Sequence, residues 1–106
     1  MLDLVDASHF TPLIGKVCDL ELADRSILPI RIDSVTSKPL TRNPYAPESQ
    51  RLPFLVTLTA TRPTNFIEGP CSIELNNFDR LNGVYVTRVA ALGRDPNGAY
   101  YQIIFN

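Results

Sequence analysis

The sequence predicts a small all-β domain, an antiparallel six-stranded barrel or sandwich with a short N-terminal helix. Three observations carry this. Apolar and polar residues alternate with period two through most of the chain, as in strands that bury one face. Clusters of Pro, Asn, Asp and Gly punctuate the runs. No long helical pattern lies between them, so the crossover helices that parallel strands require are missing. Closure removes vulnerable edges and favours the barrel. A chain of 106 residues is expected to form one domain, 1–106, with a core that needs no metal or disulfide staple.

The only helical signal comes first. Phe10, Leu13 and Ile14 fall at i, i+3 and i+4, Pro12 suits a first turn and Gly15 a C-terminal cap, which predicts one or two turns started by Asp6 or Ser8. From Lys16 to Leu22, Cys18, Leu20 and Leu22 share one face and Asp19 and Glu21 the other. The next run sets Leu28, Ile30 and Ile32 opposite Pro29, Arg31 and Asp33, and the two runs should form a hairpin. Matching the apolar faces pairs Leu22 with Leu28, Leu20 with Ile30 and Asp19 with Arg31 around a loop from Ala23 to Ile27. Pro29 has no amide hydrogen and points to an edge or a bulge.

Ser37 to Pro53 is a long proline-punctuated interruption, of a length that is often functional. Phe54, Val56, Leu58 and Ala60 then alternate with Leu55, Thr57 and Thr59, the clearest strand of the chain. Thr61 to Pro70 is a second loop with Phe66 and Ile67 as apolar pegs, and Cys71 to Leu75 a short strand. Asn76 to Gly83 has turn composition. Val84 to Ala91 is apolar on both faces, which predicts that both are covered. Asp95-Pro96-Asn97-Gly98 is a turn, with Pro preset and Gly free to take positive φ. It leads into a closing strand, Ala99 to Phe105, with Tyr101, Ile103 and Phe105 on one stripe.

Ten basic residues against eleven acidic ones provide no field to attract nucleic acid or an anionic membrane, so neither is expected as a partner. No apolar run approaches the roughly 20 residues that cross a bilayer. Met1 to Asp6 lacks the basic and apolar regions of a signal peptide, which makes the cytoplasm the expected compartment. Arginines outnumber lysines eight to two. Arg42, Arg51 and Arg62 bracket the middle of the chain and offer forks suited to anionic groups. With Tyr45 and Phe66 they form the candidate interaction surface.

Catalytic signals are sparse. The single histidine, His9, has Ser8 as its nearest hydroxyl neighbour, at a predicted helix start. Cys18, Cys71 and His9 lack the paired spacing of zinc ligands. Both cysteines alternate with aliphatics and are expected to be reduced, buried thiols. Asp19 with Glu21, and Glu68 with Glu74, have no pocket signature. Exposed aromatics such as Tyr45, Phe66 or Phe78 could stack bases, but the near-neutral charge opposes this. No catalytic, metal or cofactor-binding residue is assigned, and a non-enzymatic protein is expected.

Three segments carry a resemblance: Phe10-Thr11-Pro12-Leu13-Ile14-Gly15, Arg51-Leu52-Pro53-Phe54-Leu55-Val56-Thr57-Leu58, and the end from Gly93 to Asn106 with its Tyr-x-x-x-Phe-Asn, Tyr101 to Asn106. Together these resemble a family of small uncharacterised bacterial proteins of about this length. Members often lie near genes for phage-tail or collar-like proteins, which implies an assembly or accessory role and names no catalytic residue. The expected function is therefore a protein-interaction or assembly accessory module with a protein partner, and a homo-oligomer is compatible with it. The alternative is a small-molecule-binding barrel lined by Tyr85, Tyr101 and Phe105.

Overall fold

The structure is a computed structural model that describes residues 5–37, 53–75 and 80–105. A helical turn, α1 (Ala7–Phe10), continues into a 3-10 turn (Thr11–Leu13). Six strands follow: β1 (Val17–Glu21), β2 (Ile27–Ser37), β3 (Phe54–Ala60), β4 (Glu68–Ile73), β5 (Leu81–Val89) and β6 (Tyr100–Phe105). They close into an antiparallel barrel in the order β1-β2-β3-β6-β5-β4. The order describes two consecutive three-stranded meanders, β1-β2-β3 and β4-β5-β6, joined along both edges. The two joints differ in length. Six residue pairs run from Phe54↔Phe105 to Thr59↔Tyr100 between β3 and β6. Only Leu20↔Ile73 and Glu21↔Ser72 join β1 to β4.

Inward residues of every strand fill the barrel: Leu20, Ile30, Val56, Leu58, Ile73, Val86 and Tyr101 are completely buried. Both ends are stoppered. At one, α1 delivers Phe10 onto the start of β3 and the end of β6, with ring centroids 6.0 Å from Phe54 and 5.5 Å from Phe105. Phe54 and Phe105 stack on each other at 4.6 Å. At the other end the crossover between β3 and β4 brings Phe66 to 5.4 Å from the Tyr101 ring, and the buried Tyr101 hydroxyl donates to the Phe66 carbonyl at 2.6 Å. That bond satisfies the one polar atom of a side chain otherwise suited to the core. Val5 and Leu13 are buried beside Phe10, so α1 belongs to the core.

The β1–β2 hairpin departs from the expected register by two residues: Leu20 pairs with Leu28, Cys18 with Ile30 and Val17 with Arg31. Both registers match the apolar faces, so the turn decides between them. Leu22 N–H bonds the Ser26 carbonyl and Arg25 N–H the Leu22 carbonyl, each at 2.9 Å, with Arg25 at φ 69°. This is a tight turn ending in a left-handed residue, and Asp24 fixes it by accepting from the Ser26 amide at 2.9 Å. Arg31 is consequently beyond Asp19 and binds Asp33 on its own strand at 2.8 Å. Pro29 lies on an inner strand, not an edge. Its carbonyl accepts from Thr61 N–H, and its amide position falls where the β3 ladder ends at Ala60, so no ladder bond is lost. The bulge of β2 sits later, between Ile32 and Ser34.

Asn82-Gly83 was expected in a turn and instead lies inside β5. The register shifts between Cys71/Val84 and Ile73/Leu81, so Asn82 and Gly83 together face Ser72. Gly83 takes φ 69° in this bulge. β5 is covered on one face only: Val84 and Val86 are buried, whereas Tyr85 is 53% exposed. β4 begins at Glu68, inside the expected loop, and ends at Ile73.

The β5–β6 connection uses two turns. Leu92 and Gly93 take positive φ in the first, closed by Arg94 N–H to the Ala91 carbonyl. Asp95 to Gly98 forms the second, closed by Gly98 N–H to the Asp95 carbonyl at 3.0 Å. Gly98 is needed for close approach and not for positive φ, since a Cβ there would lie 2.6 Å from the Tyr100 hydroxyl. That hydroxyl donates to the Asp95 carbonyl at 3.0 Å, and the Arg94 guanidinium covers the Tyr100 ring at 3.8 Å. Tyr100 is thereby buried on the outer side of the barrel.

Four outcomes follow for stability. Phe105→Ala is expected to cost about 3 to 5 kcal/mol in denaturant unfolding, and deletion of Ile103 to Asn106 to abolish the folded circular-dichroism spectrum. Ile104→Ala, 55% exposed between them, should shift stability by much less. Gly98→Ala should cost about 1 to 3 kcal/mol through overpacking against the tethered Tyr100, read as a lower Tm.

Candidate interaction surface

The short β1–β4 joint shapes a cleft in the surface. Beyond Leu20↔Ile73 the two chains separate, and a cleft of about 570 Å³ opens, walled by Lys16, Val17, Cys18 and Asp19 on one side and Glu74 and Leu75 on the other. Cys18 and Leu75 turn inward and form its floor, half-buried and buried respectively. Val17 points outward and is 59% exposed.

Backbone chemistry is the notable property of this wall. Leu22 N–H bonds Ser26 and Lys16 C=O accepts from Ile32 N–H, so the even-numbered residues of β1 exchange bonds with β2. In an antiparallel ladder the alternate residues direct their peptide groups to the other side. Glu21 meets Ser72 there, but Val17 lies beyond the end of the β1–β4 ladder. Its N–H and C=O face the cleft with no partner among the described residues.

Charge around the cleft is uneven. Arg80 binds Glu21 and also donates to Asn82 at 3.3 Å, while Asn82 accepts from Ser72 at 2.9 Å. This network ties β5 across β4 to β1 at the upper end of the joint. Asp19 and Glu74 both line the cleft without an ion pair among the described residues, and Lys16 lines it as well.

The residues expected to interact lie elsewhere. Tyr45, Arg42 and Arg51 are outside the described residues. Arg62 is exposed on the crossover after β3 and donates to the Ile27 carbonyl. Phe66, two residues before β4, is half-buried as the barrel stopper, and its ring is committed to Tyr101. A shallow depression of about 420 Å³ joins Phe66, Thr64 and Asn65 to the β1–β2 turn at Leu22 and Asp24. The structure thus sets Arg62 and Phe66 on one crossover and the cleft at the β1–β4 joint. The sequence did contain a signal for the cleft: Val17, an exposed apolar residue on the polar face of β1.

The other candidates take defined places. Asp6 caps α1: it accepts from the Ser8 amide at 2.9 Å and from the Ser8 hydroxyl, and its own N–H donates to His9 Nδ1 at 2.9 Å. Ser8 and His9 are each bonded to Asp6, which is a capping box and not a nucleophile–base arrangement. The Ser8 hydroxyl and amide, with the His9 ring nearby, hold the Asp6 carboxyl below its usual range. Glu68 accepts from the Tyr85 hydroxyl and pushes that phenol up. Tyr85, Tyr101 and Phe105 do not line a common cavity, because Tyr85 stands outside while Tyr101 and Phe105 are 0% and 4% exposed in the packed core. Both cysteines are free. Burial pushes the Cys71 thiol up to about 11 and raises Cys18 as well.

The fold and its surface define a small closed β-barrel domain whose shortest joint is β1–β4. The chain belongs to the DUF6916 family, a domain of unknown function, whose family model matches residues 5–105. Comparison with curated proteins and with solved structures finds no match to it.

The thiols give a pH test. A thiol whose pKa in the folded chain lies above its ordinary value near 9 favours folding below that pH and loses this contribution as pH rises toward about 11. The denaturation midpoint should therefore fall between pH 9 and 11. In Cys71→Ala the fall should be shallower, from a lower starting stability. At pH 8 the native protein should leave Cys71 unmodified by a thiol reagent that labels both cysteines after unfolding.

Proposed function

We propose that this domain is a non-enzymatic protein-interaction module, an accessory to an assembly of the phage-tail-like kind that its resemblance to small bacterial proteins implies. The observation that supports it best is the cleft at the β1–β4 joint, where a closed barrel presents peptide groups, an exposed valine and two carboxylates with no ion pair among the described residues. An interaction surface needs a preorganised frame with groups left available on it, and barrel closure provides the frame. The cytoplasm is the compartment in which such an accessory and its two free thiols are compatible.

Chemical crosslinking in the source cells, followed by mass spectrometry and by light scattering of the purified protein, tests this role. Crosslinks to a structural component of an assembly are expected. A strictly monomeric protein without any crosslinked partner would contradict it. A His9→Ala variant should behave like the parent in a broad hydrolase screen, and loss of a measurable activity would argue for an enzyme instead.

A further inference from the structure

The geometry points to β-strand addition at the β1–β4 joint: an extended segment of a partner protein, carrying a basic residue, pairs with the free side of β1 at Val17. The inference rests on the interaction role proposed above and gives it a site and a mode.

Three observations converge. The N–H and C=O of Val17 face the cleft beyond the two-pair β1–β4 ladder and have no partner among the described residues. A strand edge of this kind is a template for another extended chain, since main-chain bonds are satisfied whatever the incoming sequence. This joint is the shortest of the ring, with two residue pairs against three between β5 and β6 and at least five at each of the others, so this is where an added strand meets least competition. The charges then select the segment. Arg80 is engaged by Glu21, whereas Asp19 and Glu74 line the cleft with no ion pair among the described residues, so a lysine or arginine on the incoming strand is favoured beside them. In an antiparallel arrangement the residue opposite Asp19 precedes the one opposite Val17 by two positions. A basic residue followed two positions later by an apolar one fits both, the second packing on the exposed Val17 side chain.

Val17 also supplies the variant that separates binding from folding. Its N–H is not used in the ladder with β2, so Val17→Pro removes a donor from the cleft and leaves the hairpin bonds intact. Random linear decapeptides displayed on a surface serve as the probe, selected against the intact protein. Enrichment of sequences with the basic–x–apolar order is expected. A synthetic peptide from that pool should bind Val17→Pro and Asp19→Lys about tenfold more weakly or worse than the parent, consistent with loss of a main-chain bond or of a charge partner. Asp19→Lys keeps the test decisive if the proline variant does not fold. Bound peptide should also slow hydrogen exchange at the Val17 amide. Equal affinity for the parent and both variants, no enrichment, or an unprotected Val17 amide overturns the inference. So does a dimer of this chain that Val17→Pro disperses, since a second copy would then occupy the edge. If cellular crosslinks persist in both variants, the interaction role stands and this site falls; if the parent forms none, the role itself fails.

Discussion

The contact among Phe10, Phe54 and Phe105 is the constraint on which the rest of the barrel depends. It joins the first helical turn, the start of β3 and the end of β6, segments far apart in the chain, through centroids 4.6 to 6.0 Å apart. Each ring removes a large apolar area from water, and none can do so alone because the barrel mouth is open without the other two. β6 extends this constraint along its length. Its start carries Tyr101, locked to Phe66 at the opposite mouth, and its end carries Phe105. One six-residue strand thus anchors both stoppers while pairing with β3 on one side and β5 on the other.

Closure at the β1–β4 joint is a consequence of less consequence for the core. With β3 and β6 joined over six pairs, the two meanders are already held together, and two pairs are enough to complete the ring. The Arg80, Glu21 and Asn82 network reinforces that end, although partly exposed ion pairs of this kind contribute only about 0 to 1 kcal/mol. A weakly committed joint in a strongly committed barrel is what leaves peptide groups available at the surface. Fold stability and the candidate site are therefore located on opposite joints of the same closed sheet.

Most strands were legible because half-burial imposes a period of two, which Phe54–Ala60 follows without interruption. The hairpin register was not, because a slip of two residues leaves Leu20, Leu28 and Ile30 on the same face. Only the Asp24–Ser26 bond and the left-handed Arg25 distinguish the alternatives. Asn82-Gly83 has the composition of a turn, but the same freedom at φ 69° serves a bulge when a partner strand is present, and no local pattern tells the two apart. Gly98 shows the converse: the turn was foreseen, but the Tyr100 side chain packed against it was not. For the cleft, Val17 is an apolar residue out of phase with its strand, a local signal with no meaning until β4 is placed. That β4 separates from β1 beside it depends on long-range pairing that alternation cannot encode. Phe66 was foreseen as an apolar peg and proves to be a stopper, since its crossover passes over the barrel mouth.

Native-state hydrogen exchange across a denaturant series tests this account most directly. If the two stoppers and the double pairing of β6 hold the barrel together, the β6 amides exchange only through global unfolding, with the full free energy and its denaturant dependence. The amides at the β1–β4 joint should open earlier, with a smaller free energy and a weaker dependence. β6 amides that exchange through a sub-global opening, while the β1–β4 joint stays protected to the global limit, would contradict it.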